Sequence, residues 1–187
     1  MPSIRTFIAL PRPSIAQHAI AEVQTKLKAT QADVKWESQE KFHITLMFLG
    51  NVEQLKLELL STALAKSVQP FSSLTVTYES LGAFPNTHNP HIVWIGIKSN
   101  QTVLDLQTMV ELTCTKFEFP KEDRAFHPHI TLGRVKGDRN LVRLTEAIKT
   151  ITFEPIETHC SEILLMKSEL HPSGSIYTIL KSFPLFT

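Results

Sequence analysis

The tetrapeptide His-Ile-Thr-Leu occurs twice in this chain, beginning at His43 and again 86 positions later at His129. Each copy lies in an apolar run, residues 42–49 in the first case and 127–135 in the second. In a strand, side chains at i and i+2 point to the same face. Each copy therefore sets one imidazole beside one hydroxyl, His43 with Thr45 and His129 with Thr131. If the two copies face each other, the chain builds a cleft with two histidines and two threonines. A lone His-x-Thr is a weak signal, because a single histidine on an apolar strand is most often structural. Two copies in the same place of a repeated helix–strand–helix unit outweigh that explanation.

The remaining segments arrange themselves around these strands. Residues 4–10 read as a strand that ends in a turn at Pro11-Arg12-Pro13. Ser14 and Gln17 fit a capping box for a helix whose stripe is Ile15, Ala19, Val23 and Leu27, widened by Ile20. Residues 33–41 are polar apart from Val34 and Trp36 and read as a loop. Asn51, with Gln54 in the boxing position, is expected to cap a second helix that buries Val52, Leu55, Leu59 and Ala63. Leu74, Val76 and Tyr78 alternate with threonines in a strand toward Gly82, and residues 82–90 carry loop composition.

A compact apolar strand follows at 91–98. A third helix opens at Asn100 or Thr102, with Val103, Leu106, Val110 and Cys114 inward. A charged connector at 117–126 leads to the second motif strand. Leu141, Leu144 and Ile148 space a short fourth helix. Strand-like runs at 151–157, 160–167 and 176–183 close the chain, the last two as a hairpin through Pro172-Ser173-Gly174. Hairpin-like neighbours point to antiparallel pairing and an α+β class. No Gly-rich linker divides the 187 residues, so two lobes around one cleft, within a single domain spanning 1–187, is the expected organisation.

Histidine is the side chain whose ordinary pKa, about 6.5, allows proton transfer in either direction near neutral pH. Two in one cleft suit an in-line displacement at phosphorus. One takes a proton from the attacking oxygen, and the other gives one to the leaving oxygen. The threonine hydroxyls can donate to the non-bridging phosphoryl oxygens, where charge builds. This scheme needs neither cofactor nor metal. His127-Pro128-His129 has no third ligand at matching spacing, against a metal reading. The histidines at 88 and 91 fall in a Pro-rich stretch and read as solvated loop. Of the aromatic residues, Phe48 and Trp36 are open candidates for stacking on a nucleobase, and Trp94 is expected in the core.

Composition bounds the alternatives. The formal charge of +1 excludes a broad non-specific nucleic-acid surface, though not recognition of one phosphate by a few residues. Cys114 and Cys160 have no partner spacing, so a reducing, cytoplasmic setting is expected, with neither a disulfide framework nor a Cys-x-x-Cys zinc site. Residues 1–7 read as the first strand and not as a secretory signal, and no apolar run is long enough to span a bilayer. A near-neutral monomer with no membrane partner is the expectation.

The paired His-x-Thr motifs resemble the signature of the 2H phosphoesterase superfamily. The chain most resembles its RNA 2′,3′-cyclic phosphodiesterases, also called the 2′-5′ RNA ligase family. The likeness extends through Arg5-Thr6-Phe7-Ile8-Ala9-Leu10-Pro11, Trp36, the two motif blocks, Leu81-Gly82-Ala83-Phe84-Pro85, Val93-Trp94-Ile95-Gly96, and residues 168–177. It implies a bilobed, pseudo-two-fold fold with antiparallel sheets flanking a central cleft and helices outside. It also implies hydrolysis of RNA 2′,3′-cyclic phosphate ends to 2′-phosphates. By motif position, His43 would be the general acid and His129 the general base. Thr45 and Thr131 would hold the phosphate, and Arg134 would add charge to that grip. Met47 stands where some members carry a basic residue, which implies one phosphate contact fewer. The implied partners are RNA 3′ ends, tRNA fragments bearing the cyclic phosphate, and small nucleotides. The same cleft also suits 2′-5′ ligation, a small cyclic nucleotide phosphodiesterase, or an RNA-end binding module without turnover. Two histidines favour catalysis over that last reading.

Overall fold

A computed structural model describes residues 3–11, 14–98, 100–172 and 174–186. The elements run β1 (Ser3–Leu10), α1 (Gln17–Lys28), β2 (Val34–Trp36), a 3-10 turn (Gln39–Lys41), β3 (Ile44–Glu53), α2 (Gln54–Ser67), β4 (Leu74–Pro85) and β5 (Pro90–Ile97). They continue as α3 (Gln101–Thr115), β6 (His129–Val135), α4 (Leu141–Thr150), β7 (Ile156–Cys160), β8 (Glu162–His171) and β9 (Gly174–Pro184).

The strands form one sheet in the order β7-β4-β5-β6-β3-β1-β8-β9, with β2 added on β6. The named strands pair antiparallel, as the hairpin-like spacing predicts. The two sheets expected around the cleft are the two halves of this one sheet. One half is β3, β1, β8 and β9; the other is β6, β5, β4 and β7. They join where Ile44 of β3 opposes Ile130 of β6, the one register pair between those strands. The two isoleucines hold equivalent places in the His-Ile-Thr-Leu copies, so an approximate two-fold axis passes between them.

The helices pack against one face of this sheet. Ile44, Leu46, Leu49, Ile95, Ile130 and Leu132 are buried in a core shared with α1, α2, α3 and α4. Thr45 and Thr131 stay half-buried on the other face. Asn100 caps α3, its side chain accepting from the Val103 N–H at 3.2 Å, and Val103, Leu106, Val110 and Cys114 are fully buried as their spacing predicts. No helix of the described residues is long and apolar enough to cross a membrane.

Several local expectations are corrected. The Ser14 capping box does not form: α1 begins at Gln17 behind Ala16, with no side-chain cap. Its buried face is Ala16, Ile20, Val23, Gln24 and Leu27, and Ile15 is 75% exposed. Asn51 does not cap α2, because pairing with β1 carries β3 on to Glu53. The helix starts later and turns Leu57, Leu60 and Leu64 inward, leaving Leu55 and Leu59 exposed. Leucines lie on two faces of this helix, and the length of the preceding strand decides which face is buried. Residues 34–36 form β2 on β6, not a loop, and residues 82–85 continue β4 against β5. Strands β7 and β8 begin and end later than their apolar runs suggest, whereas β9 begins earlier, at Gly174, and ends one residue later, at Pro184. Arg12 and Pro13 of the first turn, and Ser173 of the last, lie outside the described residues.

Candidate active site

His43 directly precedes β3, and His129 is the first residue of β6. The Ile44–Ile130 pair therefore brings the start of each motif toward the other. Both histidines, Thr45, Thr131, Phe48 and Arg134 line one cleft of about 620 Å³. A strict two-residue alternation would not put Phe48 or Arg134 there. A β-bulge in each half resets the phase. In one half Ile8 opposes Met47 and Ala9 opposes Thr45, skipping Leu46. In the other, Val93 opposes Gly133 and Trp94 opposes Thr131, skipping Leu132. The skipped leucines are equivalent in the two copies. So are Phe48 and Arg134, which the bulges deliver to the cleft.

The repeat extends to the hydrogen bonds on the imidazoles. His43 Nδ1 lies 2.6 Å from the Lys41 carbonyl oxygen, and His129 Nδ1 lies 2.6 Å from that of His127. A carbonyl can only accept, so each Nδ1 carries the hydrogen and donates. In the neutral ring, Nε2 then keeps a free lone pair; in the charged ring it becomes a donor. His43 Nε2 is 3.1 Å from Thr45 Oγ1. Each ring is also clamped by aromatics. His43 packs on Phe7 at 4.9 Å between centroids and meets Tyr177 edge-on at 5.3 Å. His129 meets Phe84 edge-on at 4.9 Å, with Trp94 at 6.2 Å.

This packing sets the electrostatics. Burial lowers the His43 pKa below the usual imidazole value, the Lys41 carbonyl partly offsets this, and the charge of His129 lowers it further. Burial also lowers the His129 pKa; the His127 carbonyl opposes, and the nearby charges of His127 and Arg134 add to the fall. Both imidazoles are thus biased toward neutrality in the empty cleft, and His129 has a permanent cation beside it. Tyr177 is pushed up by burial and by Glu37, with Ser175, Arg134 and Arg5 pulling the other way.

Two sequence expectations change here. Met47 is 3% exposed and belongs to the hydrophobic core. It is absent from the lining of the cleft that holds both histidines and lines only the adjoining cavity, while Phe48, 58% exposed, lines the cleft itself. Trp94 is half-buried beside the site rather than in the core, packed on His127 at 4.8 Å and Phe84 at 5.2 Å. Trp36 packs against the core, and a Cβ on Gly133 would come within 2.8 Å of its ring.

Other site residues carry no motif. Gln24 of α1 is buried, and its amide donates to the carbonyls of Glu37 at 2.7 Å and Leu132 at 2.9 Å. Leu132 is the bulge residue, so Gln24 fixes the bulge that presents Arg134. A polar residue on the inward stripe of an amphipathic helix is the signal that marks it. Tyr177 and Arg5 reach the cleft from β9 and β1, far off in sequence. Among the described residues, no group of three or more His, Cys, Asp or Glu side chains converges as metal ligands. Cys114 and Cys160 are free and buried, their thiols pushed up to about 12 and about 11. They remain protonated thiols, not nucleophiles.

An antiparallel sheet that opposes two His-x-Thr strands over one cleft is the arrangement of a 2H phosphoesterase. The chain belongs to the 2'-5' RNA ligase superfamily, whose family model matches residues 11–172. It is 32% identical over 183 residues to an RNA 2',3'-cyclic phosphodiesterase of Methanothermobacter thermautotrophicus, covering 97% of this chain and 99% of that one. It is 33% identical over 184 residues to the Methanocaldococcus jannaschii protein of the same name, covering 96% and 100%. Among solved structures, TT0787 of Thermus thermophilus superposes with a TM-score of 0.81 at 24% identity, over 97% of this chain and 98% of that one. LigT of E. coli, crystallised with 3'-AMP, superposes with a TM-score of 0.73 at 22% identity, over 99% of both chains. These two structures bear on the fold.

Proposed function

We propose that this protein hydrolyses RNA 2′,3′-cyclic phosphate ends to 2′-phosphates, with His129 as general base and His43 as general acid. The observation that carries the reading is the exchange-symmetric pair of imidazoles, each anchored through Nδ1 with Nε2 left for chemistry. Relatives that match nearly the whole chain are RNA 2',3'-cyclic phosphodiesterases.

Water attacks phosphorus while its proton passes to His129 Nε2. The P–O3′ bond breaks, and the departing O3′ takes the proton on His43 Nε2. The products are a 2′-phosphomonoester and a free 3′-hydroxyl. Exchange with solvent then removes the proton from His129 and restores the one on His43. The charge of Arg134 favours a neutral His129, which supports its role as base. The charge that acts on His43 is that of His129, and the anionic phosphate favours the charged form of His43. Thr45 and Thr131 donate to the non-bridging oxygens, and Arg134 adds positive charge there. Phe48 offers an exposed ring for the terminal base. The scheme routes no step through a metal.

The test is incubation of an RNA oligonucleotide ending in 2′,3′-cyclic phosphate with the protein in chelator, followed by analysis of the end formed. A 2′-phosphate end is expected. An unaltered end, or a 3′-phosphate, would overturn the proposal.

A further inference from the structure

The cleft and the cavity beside it differ in charge. Arg5, Lys41 and Arg134 line the cleft with one carboxylate, Glu37. On one side the cleft opens into an adjoining cavity of about 680 Å³ that shares Thr45, Phe48, Phe84 and His129 with it. There the connector between α3 and β6 supplies Lys121 and Arg124 against Glu122 and Asp123, with Glu111 of α3 facing them. Glu111 pairs with Lys121 at 3.9 Å and accepts from the Glu122 N–H at 3.1 Å. That leaves Arg124 facing two carboxylates.

The cationic lining continues beyond the cleft. Lys35 of β2 lies directly opposite Arg134 of β6 in the register, so the two side chains share a face of the sheet. The strip then reaches the β8–β9 turn. A Cβ built on Gly174 would stand 3.5 Å from the Lys35 ammonium and 3.5 Å from that of Lys41. The two ammonium groups are therefore no more than about 7 Å apart, both distances laid end to end. Among the described residues, no ion pair joins Lys35, Lys41 or Arg134 to a carboxylate. Like charges so close repel, and an anion between them relieves that repulsion.

We propose that the strip Arg134–Lys35–Lys41 is a second phosphate subsite, which takes the backbone phosphate upstream of the terminal nucleotide. RNA leaves the cleft over the Gly174 turn, and the carboxylates of the adjoining cavity turn it away from that side. The inference rests on the phosphodiesterase reading above and adds a direction to the bound strand and a preference for oligonucleotides. It does not require a basic protein: three cations in line suffice for one or two phosphates, consistent with a net charge of only +1.

The test compares two substrates, adenosine 2′,3′-cyclic phosphate and a tetra-adenylate ending in the same cyclic phosphate. Lys35 is exposed and does not line the cleft around the histidines. Lys35→Glu is expected to lower kcat/KM for the tetranucleotide by about tenfold at low salt and to cut its log–log salt slope by about one. Lys35→Gln is expected to give a smaller loss in the same direction. Turnover of the mononucleotide should stay at the wild-type level, which also reports an intact fold. Equal loss on both substrates, or loss on neither, would overturn the subsite while leaving the phosphodiesterase reading in place. A gain on the tetranucleotide from Glu122→Lys, with no loss from Lys35→Glu, would put the strand in the adjoining cavity and overturn it too. Failure of the wild-type protein to open either substrate would overturn both readings.

Discussion

Ile44 lies directly opposite Ile130 at the seam of the sheet, and the two residues occupy the same place in segments 86 positions apart. An antiparallel pair of equivalent residues is related by a two-fold rotation. One residue out from the seam on each strand, that rotation exchanges His43 with His129, and it equally exchanges Thr45 with Thr131. The active site is thus a consequence of where the repeat meets itself. Both isoleucines are buried, with exposures of 1% and 0%, so the seam is held by packing rather than by a ladder of hydrogen bonds. Truncating Ile130 to alanine should cost about 2–5 kcal/mol in a denaturant titration, and activity should fall further than stability alone explains.

The threonines are read as donors to the phosphate. Thr45→Val and Thr131→Val, which keep the shape and remove the hydroxyl, should each lower kcat by about 10²–10³. Thr→Ser at either position should keep most of the rate. Steady-state kinetics on a cyclic phosphate end checks this; valine variants with unchanged kcat would assign the hydroxyls a packing role only.

Both histidines have pKa values lowered by burial in the free protein. The base then stays neutral to lower pH, and the acid loses its proton at lower pH. The bell of kcat/KM, which reports the free enzyme, should centre below about 6.5. A bound anionic phosphate raises both values, so the kcat profile should lie at higher pH than that of kcat/KM. The stability consequence has a definite sign. A histidine whose folded pKa lies below its unfolded value gives full stability above about 6.5. That stability is lost as pH falls from there through the folded value, because the unfolded chain takes up the proton first. Denaturant titrations from about pH 7.5 down to about 5 should therefore show falling stability, and His129→Phe should flatten the fall.

Gln24 offers a test of the bulge. Its amide donates to the carbonyl of Leu132, which also accepts from the Glu37 N–H at 2.9 Å. Gln24→Leu removes the side-chain donor and leaves the Glu37 bond in place. A loss of about 1–3 kcal/mol is expected, with KM rising more than kcat falls as Arg134 loses its fixed position.

A different residue supports the aromatic bed of His129. A Cβ on Gly82 would lie 2.4 Å from two atoms of the Trp94 ring. Gly82→Ala must displace that ring, at a cost of about 1–3 kcal/mol. Tryptophan fluorescence should shift, and turnover should drop with it.

The sheet half of this fold is legible because strands carry a short period. Alternation pairs His43 with Thr45 and His129 with Thr131, and the exact repetition of four letters marks them as a pair. What alternation cannot express is a bulge, so the period points Met47 at the cleft where Phe48 stands. Helix phase is harder. Residues 55–60 carry leucines on two faces, and only the pairing of β1 with β3 as far as Glu53 selects Leu57 and Leu60. Residues outside the motifs leave little local pattern: Gln24, which holds the bulge from the helix side, shows only as a polar residue on an inward stripe, and Tyr177 reaches the cleft from the last strand with no signal of that kind. Asn100 shows the opposite case, since a cap and the stripe behind it lie within one turn of each other.

The most direct test of the paired-histidine account is the turnover of an RNA 2′,3′-cyclic phosphate end by His43→Ala and His129→Ala, each compared with wild type under single-turnover conditions. The account predicts that each variant loses about 10²–10⁴ in rate, and that the double variant loses little more, because the two groups act in one step. Either single variant opening the cyclic phosphate at near the wild-type rate would contradict it.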